Sequence, residues 1–544
     1  MGRGAKVTAL AILTAVLLIG GWWLFWFQCD DAYIAFRYVQ SRRLGWGYVW
    51  NPAPMAPVEG YTSFLWVVLL DGLWSLTGLD PSVTANRVAL VAALYSTGLV
   101  GWIAWRLPLG PGWDERRVSV LGLVWLAVVT NRTWLAWSSS GLETSLFTAL
   151  LLSWAALGAL GRPGAAWAAG LSTLAGLLAL CRPDGLLYVA ATGVMLVARL
   201  VHQRRVAVAD AFGFVPFAAP VAHLLWRHAT YGEWVPNTYF AKHVGMWPIG
   251  GLFYSTSFLL EYAAWVPVGM AVLWAWRARQ SAVQEARDAW RRPFGDLAAV
   301  AVVGTFAFEW AYYTFNIGGD HFEWRIYHHL VPVMFLAVPW LSDRLGWRPR
   351  DGLAALFVFV SLSWPLPWLH YWKTKDLDTR RETHVMVVFV NADVPIFARG
   401  YALLFDLTQW WLIEHRNAMR HQEHKVFAAE QWKKYGARDF DVGAEPGDVA
   451  VHEVFSVGVP GWALPNVVII DKLGLNDRVV ARAPIESGKE RTMAHDRRPP
   501  KGYVACFQAN VRQVAGGVRV TPHAPPVALS DLAACEAKFG GALR

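Results

Sequence analysis

The sequence has few charged residues for its length. Of its 544 residues, 16% are Asp, Glu, Lys or Arg, whereas 55% are hydrophobic. This composition is too apolar for a soluble protein of this size, and several hydrophobic segments are long enough to cross a bilayer. The formal net charge is +9, but the sequence lacks a Lys/Arg run with interleaved aromatic residues. We therefore expect a lipid bilayer, and no nucleic acid, among its partners.

Cysteine is also scarce, with four residues. Cys29 and Cys181 adjoin predicted helix ends, and Cys506 and Cys535 lie in a polar C-terminal region. If that region is outside the cytoplasm, a Cys506–Cys535 disulfide is one alternative and a pair of free thiols is the other.

Basic residues fall between the hydrophobic segments. Arg3 and Lys6 precede the first segment, which ends in Gln-Cys-Asp rather than in a small-residue cleavage site. It is therefore predicted to be an uncleaved span with its N-terminus in the cytoplasm. Residues 61–78 are short and contain Asp71, which favours a juxtamembrane or re-entrant helix over a span. With that choice the sequence predicts about eleven transmembrane helices, and every basic loop is cytoplasmic. The ten later spans are predicted at 84–105, 118–137, 142–160, 164–181, 185–201, 206–227, 250–276, 296–315, 326–343 and 351–372.

Two domains are predicted. Residues 1–372 form a polytopic α-helical membrane domain, whose first outer loop, residues 28–83, carries juxtamembrane helices. Residues 373–544 contain more charge and no further span. Within them the residue patterns predict a polar helix at 407–435 and strands at 448–457 and 467–470. An odd number of spans places this mixed α/β domain on the extracytoplasmic side.

Polar clusters are predicted to converge on that same side. Asp30 and Asp31 follow the first span, and adjacent carboxylates would be costly in hydrocarbon. Five further clusters join later helices on the outer side. They lie at residues 57–62, 138–144, 181–185, 234–242 and 316–325. Convergence on one side indicates a water-accessible site near the outer leaflet, whereas a transporter would concentrate such groups at the bilayer midplane.

Each cluster also has a purely structural interpretation. Arg-Pro-Asp-Gly and Gly-Gly-Asp are common turn and helix-cap sequences. Glu143 at a helix start suits the positive end of a helix dipole. Lys242 could be a basic residue at the membrane interface. His321 lies next to Asp320, but its surroundings have no zinc-site spacing.

The order of these motifs resembles a known family. They are Asp-Asp-Ala-Tyr-Ile-x-Phe-Arg-Tyr (30–38), Val-Glu-Gly-Tyr-Thr-Ser-Phe-Leu-Trp (58–66), Ser-Ser-Gly-Leu-Glu-Thr (139–144), Arg-Pro-Asp-Gly (182–185), Pro-Asn-Thr-Tyr-Phe-Ala-Lys (236–242) and Gly-Gly-Asp (318–320). In this order they are similar to the GT-C superfamily of polyprenyl-phosphate-sugar glycosyltransferases. Within it they resemble the AftB-like terminal arabinofuranosyltransferases, and segments 470–477 and 494–498 resemble that group's extracytoplasmic cap domain. The chain departs from the family at 51–57, which is rich in Pro, and at 393–445, which has no counterpart.

The resemblance implies a reaction at the outer face of the bacterial cytoplasmic membrane. A sugar, with arabinofuranose as the candidate, would move from a polyprenyl-phosphate donor to a cell-envelope glycan or another acceptor. The catalytic base of the family maps to Asp30 or Asp31, with Asp30 favoured. The same two carboxylates could instead share a divalent cation such as Mg²⁺, Mn²⁺ or Ca²⁺.

Further roles are carried over from the family in the same way. The candidates for binding the donor phosphate are Lys242, Arg325 and Arg182. The candidates for binding sugar or acceptor are Arg37, Glu59, Tyr61, Glu143, Asp184, Asn237, Tyr239, Asp320, His321, His495 and Asp496.

Two other functions stay open on the sequence. A flippase for lipid-linked sugars would need ionisable groups near mid-span, where Glu261, Glu309 and His223 are the candidates, although all three are predicted nearer the outer helix ends. A receptor that uses the outer domain for binding would leave the Asp30–Asp31 pair unexplained.

Overall fold

The chain folds largely into helices of very different lengths. The computed structural model describes residues 2–203, 211–285, 294–384, 394–485, 488 and 490–541. The helices of the N-terminal part are α1 Arg3–Leu24, α2 Asp30–Arg43, α3 Phe64–Thr77, α4 Pro81–Arg106, α5 Arg117–Val129, α6 Arg132–Trp137, α7 Thr144–Leu160, α8 Ala165–Cys181, α9 Gly185–Gln203, α10 Ala218–Tyr231, α11 Asn237–Lys242, α12 Pro248–Glu261, α13 Trp265–Glu285, α14 Phe294–Ala311, α15 Leu330–Arg344, α16 Pro349–Leu362 and α17 Pro365–Thr374.

Several helical segments are long and apolar enough to cross a membrane. Among the described residues there are five, and the pair α12 and α13, bent by 101° at its break, would make a sixth. The five are Arg3–Leu24, Pro81–Arg106, Gly185–Gln203, Leu297–Ile317 and Pro349–Thr374. The protein is therefore a multi-pass helical membrane protein, as predicted, whereas the number eleven and the orientation stay predictions.

Some predicted spans are divided in the structure. The span predicted at 118–137 consists of α5 and α6, because the Asn131 side chain accepts a hydrogen bond from the Trp134 N–H and starts a new helix. The predicted 250–276 span bends after Glu261, where Ala263 has a left-handed φ of 49°. The predicted span at 206–227 lies partly outside the described residues. From Phe212 onward it comprises a short 3₁₀ helix, Phe212–Phe217, followed by α10.

Residues 61–78 contain one short helix, α3. Its 14 residues extend about 21 Å, less than the roughly 30 Å of a bilayer core. Asp71 of α3 is buried and accepts hydrogen bonds from Arg42 of α2 at 3.1 Å and from Tyr48 at 2.6 Å. The hydrogen bond from Arg42 holds α3 against α2, which agrees with a juxtamembrane arrangement of α3.

The C-terminal part combines helices with two small sheets. Its helices are α18 Ile396–Glu414, α19 His421–Tyr435, α20 Gly458–Ala463, α21 Arg478–Arg482, α22 Tyr503–Cys506 and α23 Leu529–Gly540. Strands β1 (Val451–Val454) and β2 (Val468–Asp471) are parallel, and β3 (Val511–Val514) pairs antiparallel with β4 (Gly517–Val520). The strands predicted at 448–457 and 467–470 correspond in position to β1 and β2. The domain boundary after residue 372 stays a prediction.

The single helix predicted at 407–435 is wrong. Helices α18 and α19 are separated by the turn 415–420, in which Arg416 and Ala418 both have a φ of 52°. Two residues in the left-handed region cannot continue a right-handed helix. The Cys506–Cys535 disulfide, one of the two alternatives left by the sequence, is formed between α22 and α23.

Helix α2 lies where the N-terminal and C-terminal parts meet. One hydrophobic cluster contains Phe36 and Val39 of α2 together with Val459 and Trp462 of α20. Eleven of the fourteen α2 residues are buried, so this helix of the predicted first outer loop is enclosed by the protein on most of its surface. The polar residues Asp30 and Arg37 of α2 can be buried because they form hydrogen bonds with the C-terminal part.

Candidate active site

A cavity of about 930 Å³ lies between the two parts of the chain. Each of the five predicted outer clusters contributes to its wall, as does Asp31 of the acidic pair. The predicted site residues that line it are Asp31, Tyr61, Glu143, Arg182, Asp184, Tyr239, Lys242, Asp320, Arg325 and Asp496. The predicted convergence of separate loops on one water-accessible site therefore agrees with the structure, although the role of each residue stays a prediction.

Arg182 is already paired with carboxylates of the cavity wall. It lies between α8 and α9, and its Nε donates to Asp184 Oδ1 at 3.1 Å while its Nη1 lies 3.3 Å from Glu143 Oε1. The Tyr313 hydroxyl donates to Asp184 Oδ2 at 2.5 Å. These contacts hold the guanidinium at a fixed position and neutralise its charge.

Arg325 is paired in a similar way. Its Nε and Nη2 donate to the two oxygens of Asp320 at 2.8 and 3.1 Å, and its guanidinium lies 4.3 Å from the centre of the Phe322 ring. A bidentate pair of this kind fixes the plane of the guanidinium. Its remaining N–H groups are the ones that a ligand in the cavity could use.

Asp31 and Lys242 differ from these paired residues. No residue in the described ranges forms a hydrogen bond or ion pair with either side chain. Burial raises the pKa of the Asp31 carboxyl above its usual range, and the charges of Lys242 and Arg325 partly oppose that rise. Lys242 is exposed to the cavity, yet the surrounding protein lowers its pKa while Asp31 opposes the change. The cavity thus contains a carboxylate and an ammonium that are both available to a ligand.

Asp30, which the sequence favoured as the base, is not on the cavity wall. Its carboxylate is 6% exposed and accepts hydrogen bonds from Ser456 Oγ at 2.6 Å, from the Gly458 N–H at 3.2 Å and from the Val459 N–H at 2.8 Å. Consecutive residues of a helix point about 100° apart. Asp30 therefore faces the C-terminal part while Asp31 faces the cavity, and the preference for Asp30 is reversed.

Arg37 was predicted to bind sugar or acceptor, and it has a structural position instead. Its side chain is fully buried. It donates to the carbonyls of Trp50, Gly461 and Val467 at 3.0, 2.7 and 2.9 Å. A guanidinium saturated by buried backbone carbonyls has no donor left for a sugar.

Glu59 and Asn237 are likewise engaged away from the cavity. Glu59 is 2% exposed and accepts two hydrogen bonds from Arg227, at 2.5 and 3.2 Å. The Asn237 amide donates to the carbonyls of Gly474 and Leu475 at 2.8 and 3.0 Å. Both residues hold the walls together, and neither lines the cavity.

His321 and His495 lie behind the wall. Their rings are 4.8 Å apart, and each Nδ1 donates to a backbone carbonyl, of Arg416 at 2.9 Å and of Met493 at 2.6 Å. Burial lowers the pKa of His495 to about 4. The pair is neutral at physiological pH and does not reach the ligand space.

The two carboxylates of the predicted metal site do not face the same space. The Asp30 carboxylate accepts two hydrogen bonds at Oδ2 and one at Oδ1 from the C-terminal part, so it faces away from the cavity that Asp31 lines. In the described part of the chain no group of three or more His, Cys, Asp or Glu residues is arranged to hold a metal ion. The two carboxylates therefore face different parts of the protein, and a divalent cation shared between them stays a prediction.

Several cavity residues were not predicted from the sequence. Tyr313 lies within a segment predicted as an apolar span, and only the π-helical turn Tyr312–Ile317 brings its hydroxyl to Asp184. Arg491 and Thr492 line the cavity from the C-terminal part. They immediately precede the 494–498 motif, and that proximity is a signal that could have identified them.

Comparison with known proteins agrees with the motif order over part of the chain. No protein-family model matches the chain. The terminal β-(1→2)-arabinofuranosyltransferase of Mycobacterium tuberculosis (strain ATCC 25618 / H37Rv) is 32% identical to it over 283 residues. The match covers 49% of this chain and 43% of that protein, so the chain spans less than half the length of the curated relative. The predicted resemblance to this group is confirmed over that part.

Solved structures of similar overall shape have low sequence identity. ArnT from Cupriavidus metallidurans bound to undecaprenyl phosphate is 12% identical, matches over 86% of each chain and has a TM-score of 0.49. The arabinosyltransferase EmbB from Mycobacterium smegmatis is 12% identical, matches over 80% of this chain and 43% of its own, and has a TM-score of 0.37. TM-scores below 0.5 do not establish a common fold. The chain is thus similar in sequence to an arabinofuranosyltransferase over about half of its length.

Proposed function

We propose that the protein is a membrane glycosyltransferase that transfers a sugar from a polyprenyl-phosphate donor to an acceptor hydroxyl. The observation that carries this proposal is the cavity in which the Asp31 carboxylate and the Lys242 ammonium face the same space, neither of them paired with another of the described residues. Arabinofuranose is the proposed sugar because of the sequence match. The N-terminus would be cytoplasmic and the C-terminal part extracytoplasmic, in line with the basic loops.

Asp31 is the proposed general base. It would accept the proton of the acceptor hydroxyl as that oxygen forms a bond to the anomeric carbon. The bond from the anomeric carbon to the phosphate oxygen breaks, and its electron pair leaves with the polyprenyl phosphate. Burial raises the pKa of Asp31, which makes its carboxylate a stronger proton acceptor than an exposed aspartate.

Cationic groups would stabilise the leaving phosphate. Lys242 can contact it without giving up an ion pair, whereas Arg182 and Arg325 would contribute the N–H groups that their carboxylate partners leave free. Negative charge grows on the phosphate as the bond breaks, so donors placed beforehand stabilise the transition state more than the ground state.

The rest of the cavity suits a lipid. Away from the charged groups the wall contains Leu187, Val221 and Phe308 from α9, α10 and α14. Apolar helix surfaces can bury a polyprenyl chain without a sequence motif. By contrast Glu261, a residue that the flippase alternative would use, is buried and bonded to Trp324 and Arg420.

A transfer assay tests the proposal. The purified protein, in lipid nanodiscs, is given synthetic polyprenyl-phosphate arabinofuranose and an arabinan acceptor, and release of polyprenyl phosphate is followed. Asp31→Asn should lower kcat by about 10² to 10⁴-fold, the usual contribution of a general base. Lys242→Met should lower kcat, because the lost ammonium contact strengthens as negative charge develops on the leaving phosphate. Asp378→Asn, at an exposed position outside the cavity, is the matched control and should leave kcat unchanged.

Two results would contradict the proposal at different levels. Full activity of Asp31→Asn would reject the base assignment while keeping the reaction class. No release of polyprenyl phosphate from any pentose or hexose donor would reject the reaction class itself.

A further inference from the structure

Asp30 and Arg37 of α2 bond to opposite ends of α20. The Asp30 carboxylate accepts from the Gly458 and Val459 N–H groups, which open α20. Arg37 Nη1 donates to the Gly461 carbonyl at 2.7 Å and to the Leu464 carbonyl at 3.3 Å, at the other end of the helix. Helix α2 therefore supplies an acceptor for the first N–H groups of α20 and a donor for the carbonyl groups at the end of α20.

The spacing and the charges both match this arrangement. Asp30 and Arg37 are seven residues apart, so they lie on one face of α2 and about 10 Å apart along its axis. The six residues of α20 extend about 9 Å. A negative group at a helix N-terminus and a positive group at its C-terminus are both favourable. The contact is also fully desolvated, because Arg37 is 0% exposed.

Two glycines allow the backbones to approach this closely. A Cβ atom at Gly458 would lie 1.7 Å from the Asp30 carbonyl oxygen, which excludes any larger residue without a backbone shift. A Cβ atom at Gly461 would lie 2.8 Å from the Trp50 ring and 3.0 Å from Arg37 Cδ, side chains that can move slightly. Substitutions at these positions therefore disturb the same contact to different degrees.

Further hydrogen bonds connect the N-terminal part with the C-terminal part between α20 and the cavity wall. After α20 the chain enters β2, where the Asn51 amide donates to the Ile469 carbonyl at 3.0 Å. The turn that follows β2 is held by Asn476, whose Oδ1 accepts from the Tyr38 hydroxyl of α2 at 3.0 Å. Leu475 in this turn lines the cavity. The position of α20 on α2 thus sets where this part of the cavity wall lies relative to Asp31.

We propose that Asp30 and Arg37 form a clamp on α20 that positions the C-terminal part over the cavity. The two adjacent aspartates then have separate tasks. Asp31 faces the ligand, and Asp30 is a positioning residue that acts through α20. The link to catalysis rests on the proposed function, whereas the docking of the C-terminal part on α2 does not.

The experiment compares Asp30→Ala with Asp30→Asn, and Asp31→Ala with Asp31→Asn. Asparagine at position 30 keeps the shape and one acceptor oxygen, whereas alanine leaves the Gly458 and Val459 N–H groups buried without an acceptor. We expect Asp30→Asn to keep transfer activity within about threefold of wild type. Asp30→Ala should lower kcat at least tenfold and speed limited proteolysis within residues 373–544 at least tenfold. Both Asp31 variants should lower kcat by at least about 100-fold and be as protease-resistant as wild type.

Gly458→Ala tests the clamp without removing a charge. It should reproduce the proteolysis seen with Asp30→Ala. Should neither variant accumulate, Gly461→Ala is the milder change, with an expected increase in cleavage rate of about threefold. Wild-type resistance of these glycine variants would overturn the clamp.

The outcomes separate the two proposals. If Asp30→Asn were as inactive as Asp30→Ala while both resisted proteolysis, Asp30 would act chemically and the clamp would be rejected. If no variant, and not even the wild type, transferred sugar, the proposed function would fail. The proteolysis series would then decide the docking role on its own.

Discussion

The buried Asp30 carboxylate should make the stability of the protein depend on pH. Burial is the main cause that raises its pKa, from 3.8 to about 6, against the hydrogen bonds from Ser456 and Val459. Because the pKa is higher in the folded protein, proton binding favours the folded state. The contribution of Asp30 to stability is therefore complete below about pH 4 and is lost as the pH rises through 6.

The size of this effect follows from the two pKa values. A tenfold change in proton affinity is worth about 1.4 kcal/mol. A rise from 3.8 to about 6 therefore corresponds to at most about 3 kcal/mol between pH 4 and pH 8. Asp30→Asn removes the titrating group. Relative to this variant, wild type should lose up to about 3 kcal/mol of unfolding free energy over that range.

Urea-dependent pulse proteolysis in detergent micelles, at half-unit steps of pH, measures this difference. Asp477 and Glu536 also have raised pKa values, of about 6 and about 7. They are present in both proteins, so their contributions cancel in the comparison. Asp378→Asn controls for the loss of an exposed carboxylate and should follow wild type. A difference between wild type and Asp30→Asn that stays constant from pH 4 to pH 8, or that grows in favour of wild type, would refute the reasoning.

Two further predictions concern groups outside the cavity. Glu323→Gln should cost about 3 to 5 kcal/mol of unfolding free energy, because it weakens the buried contacts of Glu323 with Arg132 at 2.9 Å and with Arg420 at 3.0 Å. Glu453→Gln is the control, at a carboxylate that is 41% exposed, and should cost less than about 1 kcal/mol. The double change Cys506→Ser and Cys535→Ser opens a disulfide that joins residues 29 positions apart, and should cost roughly 3 to 4 kcal/mol. Dithiothreitol should destabilise wild type by a similar amount and leave the double variant unchanged, whereas equal responses would contradict a stabilising disulfide.

The sequence predicted where the polar groups converge better than how each one is used. Hydrophobic periodicity and turn residues located the outer loops, and five of those loops meet at one cavity. Local patterns cannot indicate which side of a helix becomes the contact with a distant segment. Arg37 illustrates this limit, since its partners Gly461 and Val467 are more than 400 positions away in the chain.

The choice between Asp30 and Asp31 shows the same limit at the scale of one residue. Both are acidic, adjacent and in the first turn of α2, so neither composition nor spacing distinguishes one from the other. Only the position of α20 separates them, because it supplies the N–H groups of Gly458 and Val459 to Asp30 alone. The broken helix at 415–420 is a comparable case, since the left-handed φ of Arg416 has no local signature such as glycine.

The way in which the other charges are satisfied explains why Asp31 and Lys242 are the reactive candidates. Arg182 is neutralised by Asp184 and Glu143, and Arg325 by Asp320 in the same way, so neither can approach a phosphate without sharing its N–H groups. Lys242 has no such partner among the described residues. A leaving phosphate can thus gain a full ammonium contact as its charge develops, at no cost in a broken ion pair. Among the described residues no donor occupies the Asp31 carboxylate, which lines the cavity, whereas Asp30 accepts three hydrogen bonds and faces away from the cavity. Within the part of the chain that the structure describes, the cavity thus offers the proposed transfer a proton acceptor and a cation that no ion pair occupies.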